Sequence, residues 1–435
     1  MNIELSNPLT LPCGVEIPNR LAKAAMTEGL AEPNGEPNSD LTNLYGIWSD
    51  GGAGLLISGN ILIDGDHLER PGNVIIDKEP RPEMSAALRN WSNAATRNGN
   101  QFWAQISHSG RQTQKAVNPR PKAPSSVKLG LPGGQFGQPV EMTQADIDAV
   151  IEGFVRCARV VKSAGFTGVQ VHAAHGYLIS QFLSPRSNQR NDNYGGSLEN
   201  RARLLLDVVV QVRAEVGAEF PVAVKLNSAD FQKGGFAFED SMLVAKWLQQ
   251  AGVDLIEISG GTYEQPKLLG LEGIEETEPQ NVAESSLMRE AYFVDFALAM
   301  QSEVSIPLMV TGGFRQLKVM RDALDGGAAD MIGLGRRMCV DTDAPSQLLS
   351  GTAELQRYEK TIQLLPNWAG FIQKVSLIRT VASFAVQYWY YAQLLSIART
   401  GQADHSLSVF SAVKILTKHE RNWLKQRRTL LSRAS

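Results

Sequence analysis

The chain repeats one pattern of hydrophobic and polar positions along most of its length. A segment with helical periodicity leads into a turn of small residues, often glycine, and then into a short apolar run. Glycine readily ends a helix in the left-handed conformation, and an unbroken apolar run is typical of a strand buried on both faces. Eight strands are predicted in this way, within residues 20–26, 51–59, 98–107, 164–172, 221–227, 251–260, 306–313 and 326–335.

Helical patterns occupy the intervals between these strands. Thr143 followed three residues later by Asp146 forms a capping-box-like start for the third helix, ahead of the apolar position Ile147. Alternating strands and helices predict an α/β fold, and eight such units predict a (β/α)8 TIM barrel. A doubly wound open sheet is the alternative, and it is disfavoured because no G-x-G-x-x-G turn joins a strand to a helix. The predicted helices are 39–50, 81–97, 144–163, 197–216, 240–250, 285–303 and 315–325.

Two segments lie outside the repeat. Residues 108–143 are rich in glycine and proline, and we interpret this long loop after the third strand as a lid. The strand pattern stops near residue 340, so we predict a barrel over residues 1–345 and a helical C-terminal extension over 346–435. The aromatic residues of the extension are expected to pack on the barrel or on a second copy of the chain. They are Trp368, Phe371, Phe384, Tyr388, Trp389, Tyr390, Tyr391 and Trp423.

Composition narrows the class of protein. The 435 residues contain 42 lysines and arginines and 45 aspartates and glutamates, so a basic surface for nucleic acid is not expected. Hydrophobic residues at 43% and charged residues at 20% are ordinary values for a globular chain. Cys13, Cys157 and Cys339 are too few and too far apart for a disulfide scaffold, a zinc site or a cysteine-held iron–sulfur cluster.

The sequence shows little sign of a targeting or membrane segment. The first residues have neither a basic region nor an apolar core, so they do not resemble a secretion signal, and we expect a cytoplasmic protein. Residues 375–398 are long enough to cross a bilayer. Arg379, Gln387 and Gln393 interrupt that stretch, and an arginine in mid-membrane costs roughly 2.5–3.5 kcal/mol on insertion scales. A buried helix or a subunit contact is therefore favoured, and no membrane span is expected.

Every predicted strand ends in a polar side chain or a bare backbone. In a (β/α)8 barrel the chemistry collects at the carboxyl ends of the strands, so these positions define the candidate site. A purely structural barrel has no need for that pattern at all eight ends. The positions are Met26–Thr27, Gly59–Asn60, Gln105, His172 with His175 and Tyr177, Lys225 with Asn227, 259–261, Gly312–Gly313 and Gly335–Arg336.

The ends of the last two strands favour a bound phosphate. The corresponding loops of such barrels commonly hold phosphate through backbone N–H groups. Gly312, Gly313 and Gly335 let the backbone approach an anion closely, and the Arg336 guanidinium offers a planar fork for two phosphate oxygens.

The run VQVHAAHGYLISQF carries His172 and His175, for which three interpretations stand. Two imidazoles three residues apart can bind a metal, but no carboxylate or cysteine lies nearby in the sequence, so no metal site is predicted. The second interpretation is a pair of core histidines satisfied by their neighbours. The third, which we favour, is a pair of donors aimed at one substrate oxygen. Tyr177 then hands a proton to a strongly basic carbanion or enolate, for which even a phenol is acidic enough.

At this point a family resemblance is plain. The segment HAAHGYLISQFLSPRSNQRNDNYGGSLENRARLLLDVV at 172–209 resembles the signature of the Old Yellow Enzyme family of FMN-dependent NAD(P)H oxidoreductases. The resemblance runs in order through roughly residues 5–345. The other segments that carry it are NRLAKAAMTEG (19–29), QISHSGRQ (105–112), VKLNSADF (224–231), IEISGGTYE (256–264), VTGGFR (310–315) and MIGLGRRM (331–338).

The resemblance implies a non-covalently bound FMN and assigns residues to it. Gln105 is implied to pair with the pyrimidine edge of the flavin, and Lys225 to stand beside N1 and O2, where a cation raises the reduction potential. Gly312, Gly313, Gly335 and Arg336 are implied to hold the phosphate. The remaining residues implied to line the flavin ring are Ala24, Ala25, Met26, Thr27 and Asn60.

The resemblance also implies an activity. His172 and His175 are implied to bind the carbonyl oxygen of an α,β-unsaturated substrate, and Tyr177 to protonate the α-carbon after hydride transfer from flavin N5 to the β-carbon. NAD(P)H is the implied reductant. Because no second dinucleotide fingerprint is visible, it is expected to visit the substrate pocket, with ping-pong kinetics. The subclass with an iron–sulfur cluster and a second nucleotide domain is excluded, since the cysteines and the fingerprint are missing.

Four positions depart from the family pattern. Ala25 replaces a frequent proline, Thr27 a redox-tuning cysteine of one branch, and Gly29 a substrate-gating tyrosine of the same branch. A more open pocket mouth is therefore expected. Lys225 replaces the more frequent arginine, so its contact to the ring is less determined, and a plain buried ion pair with Glu257 is the alternative.

The sequence thus predicts an FMN-dependent NAD(P)H oxidoreductase that reduces activated alkenes or related small electrophiles. Two alternatives stay open: a phosphate-binding barrel lyase or aldolase with Lys225 as Schiff-base nucleophile, and a flavin-binding protein whose C-terminal helices mediate partner contacts. A homo-oligomer formed through those helices is a further possibility. Neither the natural substrate nor the choice between NADH and NADPH follows from the sequence.

Overall fold

Eight parallel strands form a closed barrel in the computed structural model, which describes residues 3–131, 134–260, 296–356, 358, 362 and 376–434. The last strand pairs with the first, and the first with the second, so the sheet has no open edge. The (β/α)8 prediction is confirmed, and the open-sheet alternative is wrong. The strands are β1 (Leu21–Lys23), β2 (Leu55–Leu62), β3 (Gln101–Ser107), β4 (Gly168–Ala173), β5 (Val222–Asn227), β6 (Leu255–Ser259), β7 (Leu308–Thr311) and β8 (Met331–Leu334).

The helices follow the predicted pattern closely. The third helix has the predicted bounds, and Thr143 and Asp146 form the capping box that its sequence indicates. Of the predicted helix 285–303, the structure describes residues 296–301 as helical. The helices are α1 (Ser39–Asp50), α2 (Pro82–Ala95), α3 (Gln144–Ser163), α4 (Leu178–Leu183), α5 (Leu198–Val216), α6 (Phe238–Gln250), α7 (296–301), α8 (Leu317–Asp325), α9 (Ala344–Leu349), α10 (Ser376–Thr400) and α11 (Val409–Ala434).

The barrel interior is apolar at its amino-terminal end. One hydrophobic cluster joins the lumen to the hairpin of Leu9–Thr10 and Glu16–Ile17, which closes that end. On β4 the lumen position is Gly168, where an added Cβ would lie 2.4 Å from the Trp103 ring, so the glycine makes room for the indole. The barrel residues of the cluster are Ala22, Leu55, Ile57, Trp103, Ala223, Leu255, Met309 and Met331.

The interior becomes polar towards the carboxyl-terminal end. Successive side chains of a strand point to opposite faces, so the positions two and four residues further along also face the lumen. They form a middle layer with Gln105, Gln170, Lys225 and Glu257, and above it the side chains at the strand ends. The polar groups therefore collect on the side where barrel enzymes perform their chemistry.

The first strand is shorter than predicted. It ends at Lys23, and after Ala24 N–H donates to the carbonyl of Leu334 the chain leaves the sheet through residues 25–30. Lys23 points away from the lumen, since its ammonium donates to the Tyr45 hydroxyl of α1 and to the carbonyl of Ile57. Burial lowers the pKa of Lys23 to about 8, against the opposing effect of Glu28.

The C-terminal extension packs against the barrel. Helix α10 lies on α1, with Arg399 paired to Asp40, and its Trp389 and Tyr390 are buried in the main core. Trp368, Phe371 and the side chain of Phe384 lie outside the described residues. In the described part of the chain no helix is both long and apolar enough to cross a membrane. The boundary at residue 345 and the oligomer remain predictions.

Helix α11 reaches the loops that follow β1 and β2. The Trp423 indole donates to the carbonyl of Ala31, and its ring joins Leu62, Leu68 and Ile75 in a separate hydrophobic cluster. The Arg427 guanidinium donates to two carbonyls of the same loops, those of Pro33 and Gly65. The extension therefore reinforces the rim of the barrel at its carboxyl-terminal end.

The Trp423→Ala variant is expected to lower the free energy of unfolding by about 3–5 kcal/mol, the usual cost of removing a buried tryptophan. Trp423 is only 4% exposed, whereas Phe410 on the same helix is 77% exposed. Denaturant unfolding of both alanine variants measures the difference, and Phe410→Ala is expected to stay within about 0.5 kcal/mol of the wild type. Equal effects would mean that α11 is not docked as described.

Candidate active site

The predicted site residues lie at the carboxyl-terminal end of the barrel or just below it in the lumen. Residues 24–27 follow β1, Asn60 lies in β2, and Gln105 and Lys225 face the lumen from β3 and β5. His172 belongs to β4, while His175 and Tyr177 lie in the loop that follows it. Gly312, Gly313, Gly335 and Arg336 follow β7 and β8.

Glu28 fixes the loop after β1. Its carboxylate accepts hydrogen bonds from the Tyr45 hydroxyl and from Gly59 N–H, at 3.0 Å in the second case, and lies 3.7 Å from the Lys23 ammonium. Gly59 sits where the β2–β3 register shifts, and an added Cβ there would meet the Glu28 carboxylate and the Met26 carbonyl. The glycine therefore allows this loop to pass over β2. No sequence pattern indicated this part played by Glu28.

Within this loop the side chains differ in direction. Ala24 is buried, Ala25 packs partly against the lumen cluster, and the Thr27 hydroxyl lies 3.5 Å from the Asn60 amide nitrogen. The Met26 sulfur is 3.4 Å from Cys339 Sγ. That contact turns the Met26 side chain towards Cys339. The backbone is therefore the part of Met26 left to line the mouth of the barrel, by which we mean the open end formed by the carboxyl-terminal ends of β1–β8 and the loops that follow them.

The loop after β4 brings His172, His175 and Tyr177 together. The His172 ring lies edge-on to the other two rings, with centroid distances of 5.2 Å to His175 and 4.8 Å to Tyr177. His172 Nδ1 accepts a hydrogen bond from Ala174 N–H at 3.2 Å. In a neutral imidazole the other nitrogen then carries the proton, so His172 Nε2 is a donor. His175 Nε2 lies 2.5 Å from the hydroxyl of Ser259 at the end of β6.

His175 is held in an unusual backbone conformation. Its φ of 61° lies in the left-handed region, which few residues other than glycine adopt. Asn227 Oδ1 accepts a hydrogen bond from the His175 N–H at 3.1 Å, and Gln112 donates to its carbonyl at 3.0 Å. Such strain persists only where the surroundings enforce it and is concentrated at functional sites. Asn227, Gln112 and Ser259 therefore position His175, a role that the sequence analysis did not give them.

Both histidines are neutral at physiological pH. Burial, followed by the charges of its neighbours His175 and Lys225, lowers the pKa of His172 well below its usual range. Burial and the charge of Lys225 do the same to the pKa of His175. The neutral His172 imidazole, whose tautomer is fixed, donates one hydrogen bond without bringing a buried charge, which suits a substrate carbonyl.

Acidification is expected to destabilise the protein through these two histidines. The unfolded chain takes up protons near the ordinary histidine pKa of about 6.5, while the folded state binds fewer, so stability falls as the pH falls. Between pH 7.5 and 5.5 the loss is about 1.4 kcal/mol for each histidine. Over this pH range the free energy of unfolding of the double variant His172→Asn/His175→Asn is therefore expected to fall by about 3 kcal/mol less than that of the wild type. Urea unfolding at the two pH values measures this difference. Identical losses would show that the folded protein already carries these protons.

Lys225 forms a buried ion pair with Glu257. The two residues are register partners on β5 and β6, and the ammonium lies 2.7 Å from Glu257 Oε1. Glu257 Oε2 accepts from Gln170 Nε2 at 2.8 Å, and Gln170 Oε1 accepts from Gln105 Nε2 at 2.6 Å. The structure thus contains the ion pair between Lys225 and Glu257 that was the alternative interpretation of Lys225. A cofactor contact made by the same ammonium stays a prediction.

The ends of β7 and β8 have the backbone that an anion site requires. Gly312 and Gly313 have φ values of 132° and 77°, a backbone conformation that residues other than glycine rarely adopt. An added Cβ at Gly335 would meet no atom of the described residues within 4 Å. Arg336 begins a 3₁₀ turn that runs to Cys339. The binding of phosphate here remains a prediction.

Buried polar atoms in the mouth indicate room for a polar ligand. Among the described residues, Asn60 Oδ1 and Thr311 Oγ1 are buried and have no hydrogen-bond partner. Gln105 turns its amide nitrogen to Gln170, and among the described residues no hydrogen bond to its Oε1 is found, although this oxygen is not one of the fully buried unpaired atoms. Unmet buried acceptors are costly, so they point to donors that a ligand supplies. The N–H groups and hydroxyls of a flavin mononucleotide fit this set.

The loop after β3 and the long motif after β4 support each other. Arg190 donates to the carbonyls of Pro124 and Met142, and Asn188 donates to those of Phe182 and Tyr194. Many polar residues of the signature at 172–209 are therefore structural. The lid role of residues 108–143 stays a prediction, and the loop at 262–284 lies outside the described residues.

Asp64, His67 and His108 form a polar cluster that the sequence analysis did not identify. Their ligand atoms lie within 4.8 Å of one another, as in a metal site. His67 Nε2 and His108 Nδ1 each accept a backbone N–H, from Lys122 and Gly110, so the opposite nitrogens carry protons that face the Asp64 carboxylate. Burial acts to raise the pKa of Asp64, but hydrogen bonds from the two histidines outweigh it and hold this pKa below its usual range. The cluster is satisfied by its own hydrogen bonds.

The fold and the site together define a (β/α)8-barrel protein with polar side chains gathered at the carboxyl-terminal ends of its strands, and comparisons specify the class. Residues 4–354 match the model of the NADH:flavin oxidoreductase / NADH oxidase family. The chain belongs to this family, which confirms the resemblance to Old Yellow Enzyme. The family uses FMN with NAD(P)H as reductant, so this protein is an FMN-dependent oxidoreductase.

Individual relatives support the assignment over different lengths. The NADH-dependent flavin oxidoreductase iccE of Talaromyces variabilis is 32% identical over 92% of this chain and 100% of its own. The NADH-dependent flavin oxidoreductase iliE of Neonectria sp. (strain DH2) is 38% identical over 79% of this chain and 47% of its own. The old yellow enzyme homologue from Zymomonas mobilis has a similar structure, with a TM-score of 0.67, 25% identity, and coverage of 81% of this chain and 94% of that one.

Proposed function

We propose that this protein reduces carbonyl-conjugated alkenes, or related small electrophiles, with NADH as the preferred reductant. The observation that carries the proposal is the trio of His172, His175 and Tyr177, in which the His172 ring lies 5.2 Å from the His175 ring and 4.8 Å from the Tyr177 ring. The choice of NADH is supported by the names of the relatives iliE and iccE, which are both NADH-dependent flavin oxidoreductases.

The residues of the mouth divide the chemistry between them. FMN, when bound, would supply the hydride that the β-carbon of the alkene accepts. His172 Nε2–H and the His175 ring donate hydrogen bonds to the carbonyl oxygen, where negative charge develops. Tyr177 gives its hydroxyl proton to the α-carbon from the opposite face. One hydride and one proton thus add across the double bond, and the tyrosine recovers its proton from solvent.

Other residues hold the cofactor in this proposal. Gln105 and Lys225 meet the pyrimidine edge, while Ala24, Ala25, the backbone of Met26, Thr27 and Asn60 line the ring. Gly312, Gly313, Gly335 and Arg336 bind the phosphate. Because the reductant and the substrate use the same mouth in turn, ping-pong kinetics are expected. A ternary complex as the only productive route would contradict this part of the proposal.

The alternatives fit the molecule less well. The ammonium of Lys225 is paired with a carboxylate at 2.7 Å, and a protonated amine has no lone pair with which to form a Schiff base. The aromatic residues Trp389 and Tyr390, which motivated a partner-binding role for the extension, are buried in this chain's own core.

The direct test is a two-step experiment on the purified holoenzyme. The protein should be yellow, release FMN on heating, and oxidise NADH when enones, nitroalkenes or quinones are supplied in a turnover screen. Substrate reduction should obey ping-pong kinetics. A protein that binds FMN but reduces no conjugated alkene would overturn the proposed substrate class and leave the family assignment intact.

A further inference from the structure

Four buried polar side chains form a continuous hydrogen-bonded row across the barrel. The row runs from Gln105 on β3 through Gln170 on β4 and Glu257 on β6 to Lys225 on β5, with donor–acceptor distances of 2.6, 2.8 and 2.7 Å. None of the four is more than 3% exposed. The two ends of this lumenal row, Gln105 and Lys225, are the residues proposed to meet the cofactor, whereas Gln170 and Glu257 have no role in the mechanism so far.

The carboxylate dictates the direction of every hydrogen bond in the row. An ionised Glu257 only accepts, so Gln170 must turn its Nε2 towards it and its Oε1 towards Gln105. Gln105 must then present its own Nε2 to Gln170. Its Oε1 is the group left over, and it accepts no hydrogen bond among the described residues. One carboxylate thus makes Gln105 offer an acceptor to the mouth, as an N–H donor on the ligand requires.

The same carboxylate sets the charge at the other end of the row. Glu257 Oε1 lies 2.7 Å from the Lys225 ammonium, and both groups are buried, so solvent screens the pair little. The ammonium has no second hydrogen-bond partner in the described part of the chain, which leaves protons for a ligand. A cation paired in this way acts on a neighbouring group less strongly than an unpaired one.

We propose that Glu257 and Gln170 are positioning residues for FMN, with Glu257 setting the reduction potential through Lys225 and the two together setting the hydrogen-bonding direction of Gln105. This inference rests on the proposed function, because that proposal assigns Gln105 and Lys225 to the pyrimidine edge. It goes further in stating that the potential is held down by a buried carboxylate that does not itself touch the ring.

The test compares midpoint potentials of the FMN holoenzyme, measured by dye equilibration. Glu257→Gln keeps the size of the side chain and removes its charge, so Lys225 becomes an unpaired cation. The ratio of reduced to oxidised FMN at a fixed potential is expected to rise about tenfold, a shift of about 30 mV to more positive values for a two-electron couple. Gln170→Leu leaves the ion pair intact, so the expected result is an unchanged potential with FMN affinity about tenfold weaker.

Asp254→Asn is the matched control. Asp254 is likewise buried and paired with a cation, Arg213, but it immediately precedes β6, about 10 Å along the chain from Glu257. A purely structural role for Glu257 predicts that both variants lower stability and that neither moves the potential. The proposed role predicts a shifted potential for Glu257→Gln alone.

The outcomes separate this inference from the proposed function. An unchanged potential in Glu257→Gln overturns the inference, provided that Lys225→Met shifts the potential to more negative values. If Lys225→Met alters neither FMN affinity nor potential, the assignment of Lys225 to the cofactor fails as well. If Glu257→Gln does not fold, Gln170→Leu decides: unchanged FMN affinity in that variant overturns the proposed role of the row.

Discussion

The Tyr177→Phe variant is expected to lose about 10²- to 10⁴-fold in enone turnover, the usual contribution of a positioned general acid. Tyr177 is only 5% exposed and precedes α4, with its ring edge-on to His172, so phenylalanine keeps the packing and removes only the hydroxyl. The rate of reduction by NADH should stay unchanged, because that step needs no proton from Tyr177. Stopped-flow measurement of the two half-reactions separates these effects.

Two controls sharpen this expectation. Quinones accept electrons without protonation at carbon, so the variant should reduce them at nearly the wild-type rate. Tyr194 lies in the next loop, between α4 and α5, where its hydroxyl donates to Asp207 at 3.3 Å, and Tyr194→Phe should leave turnover unchanged. Equal losses with enones and quinones would remove Tyr177 from the role of proton donor.

His172→Ala is expected to reduce enone turnover by about 10²- to 10³-fold, as the loss of one oxyanion-hole donor does in other enzymes. The backbone bond from Ala174 fixes the tautomer, so the proton on Nε2 is available at all times for the carbonyl oxygen. The donation strengthens as charge builds on that oxygen, so the loss should fall mainly on kcat. Steady-state kinetics with a series of enones gives the split between kcat and KM.

Asparagine provides the matched comparison at the same position. His172→Asn keeps an N–H donor of similar reach and should recover a large part of the lost rate, while the alanine variant should not. Should alanine and asparagine perform alike, His172 acts by filling space rather than by donating to the substrate.

Much of the fold was predictable because its signals are local. Residues 144–163 form the third helix with the predicted bounds, since a capping box and an amphipathic repeat both lie within the segment itself. The strand runs were equally visible, because parallel strands buried on both faces are apolar without interruption. The first strand was overestimated: 24–26 are as apolar as the strand, but Glu28 holds the following loop away from the sheet.

The candidate site was predictable where its residues lie at strand ends, because strand ends can be located from the sequence. Gln105, His172 and Lys225 stand at or near the ends of apolar runs, and the barrel gathers such ends on one face. The family signature added specificity. Asn227 and Ser259 were visible as strand ends, and Gln112 lies in a segment that carries the resemblance. Their role in positioning His175 was not predictable, because it depends on contacts with a loop that lies far from them in the sequence.

The sequence by itself determined where the eight strands lie and which end of the barrel carries the chemistry, because each apolar run and the polar residues at its end belong to one short segment. Only the tertiary structure decided which polar groups meet: Glu257 with Gln170, and Asp64 with His67 and His108. Those pairings depend on the relative register of strands and on loop paths between residues up to 87 positions apart. No local pattern encodes such distances, because they result from closing the whole barrel.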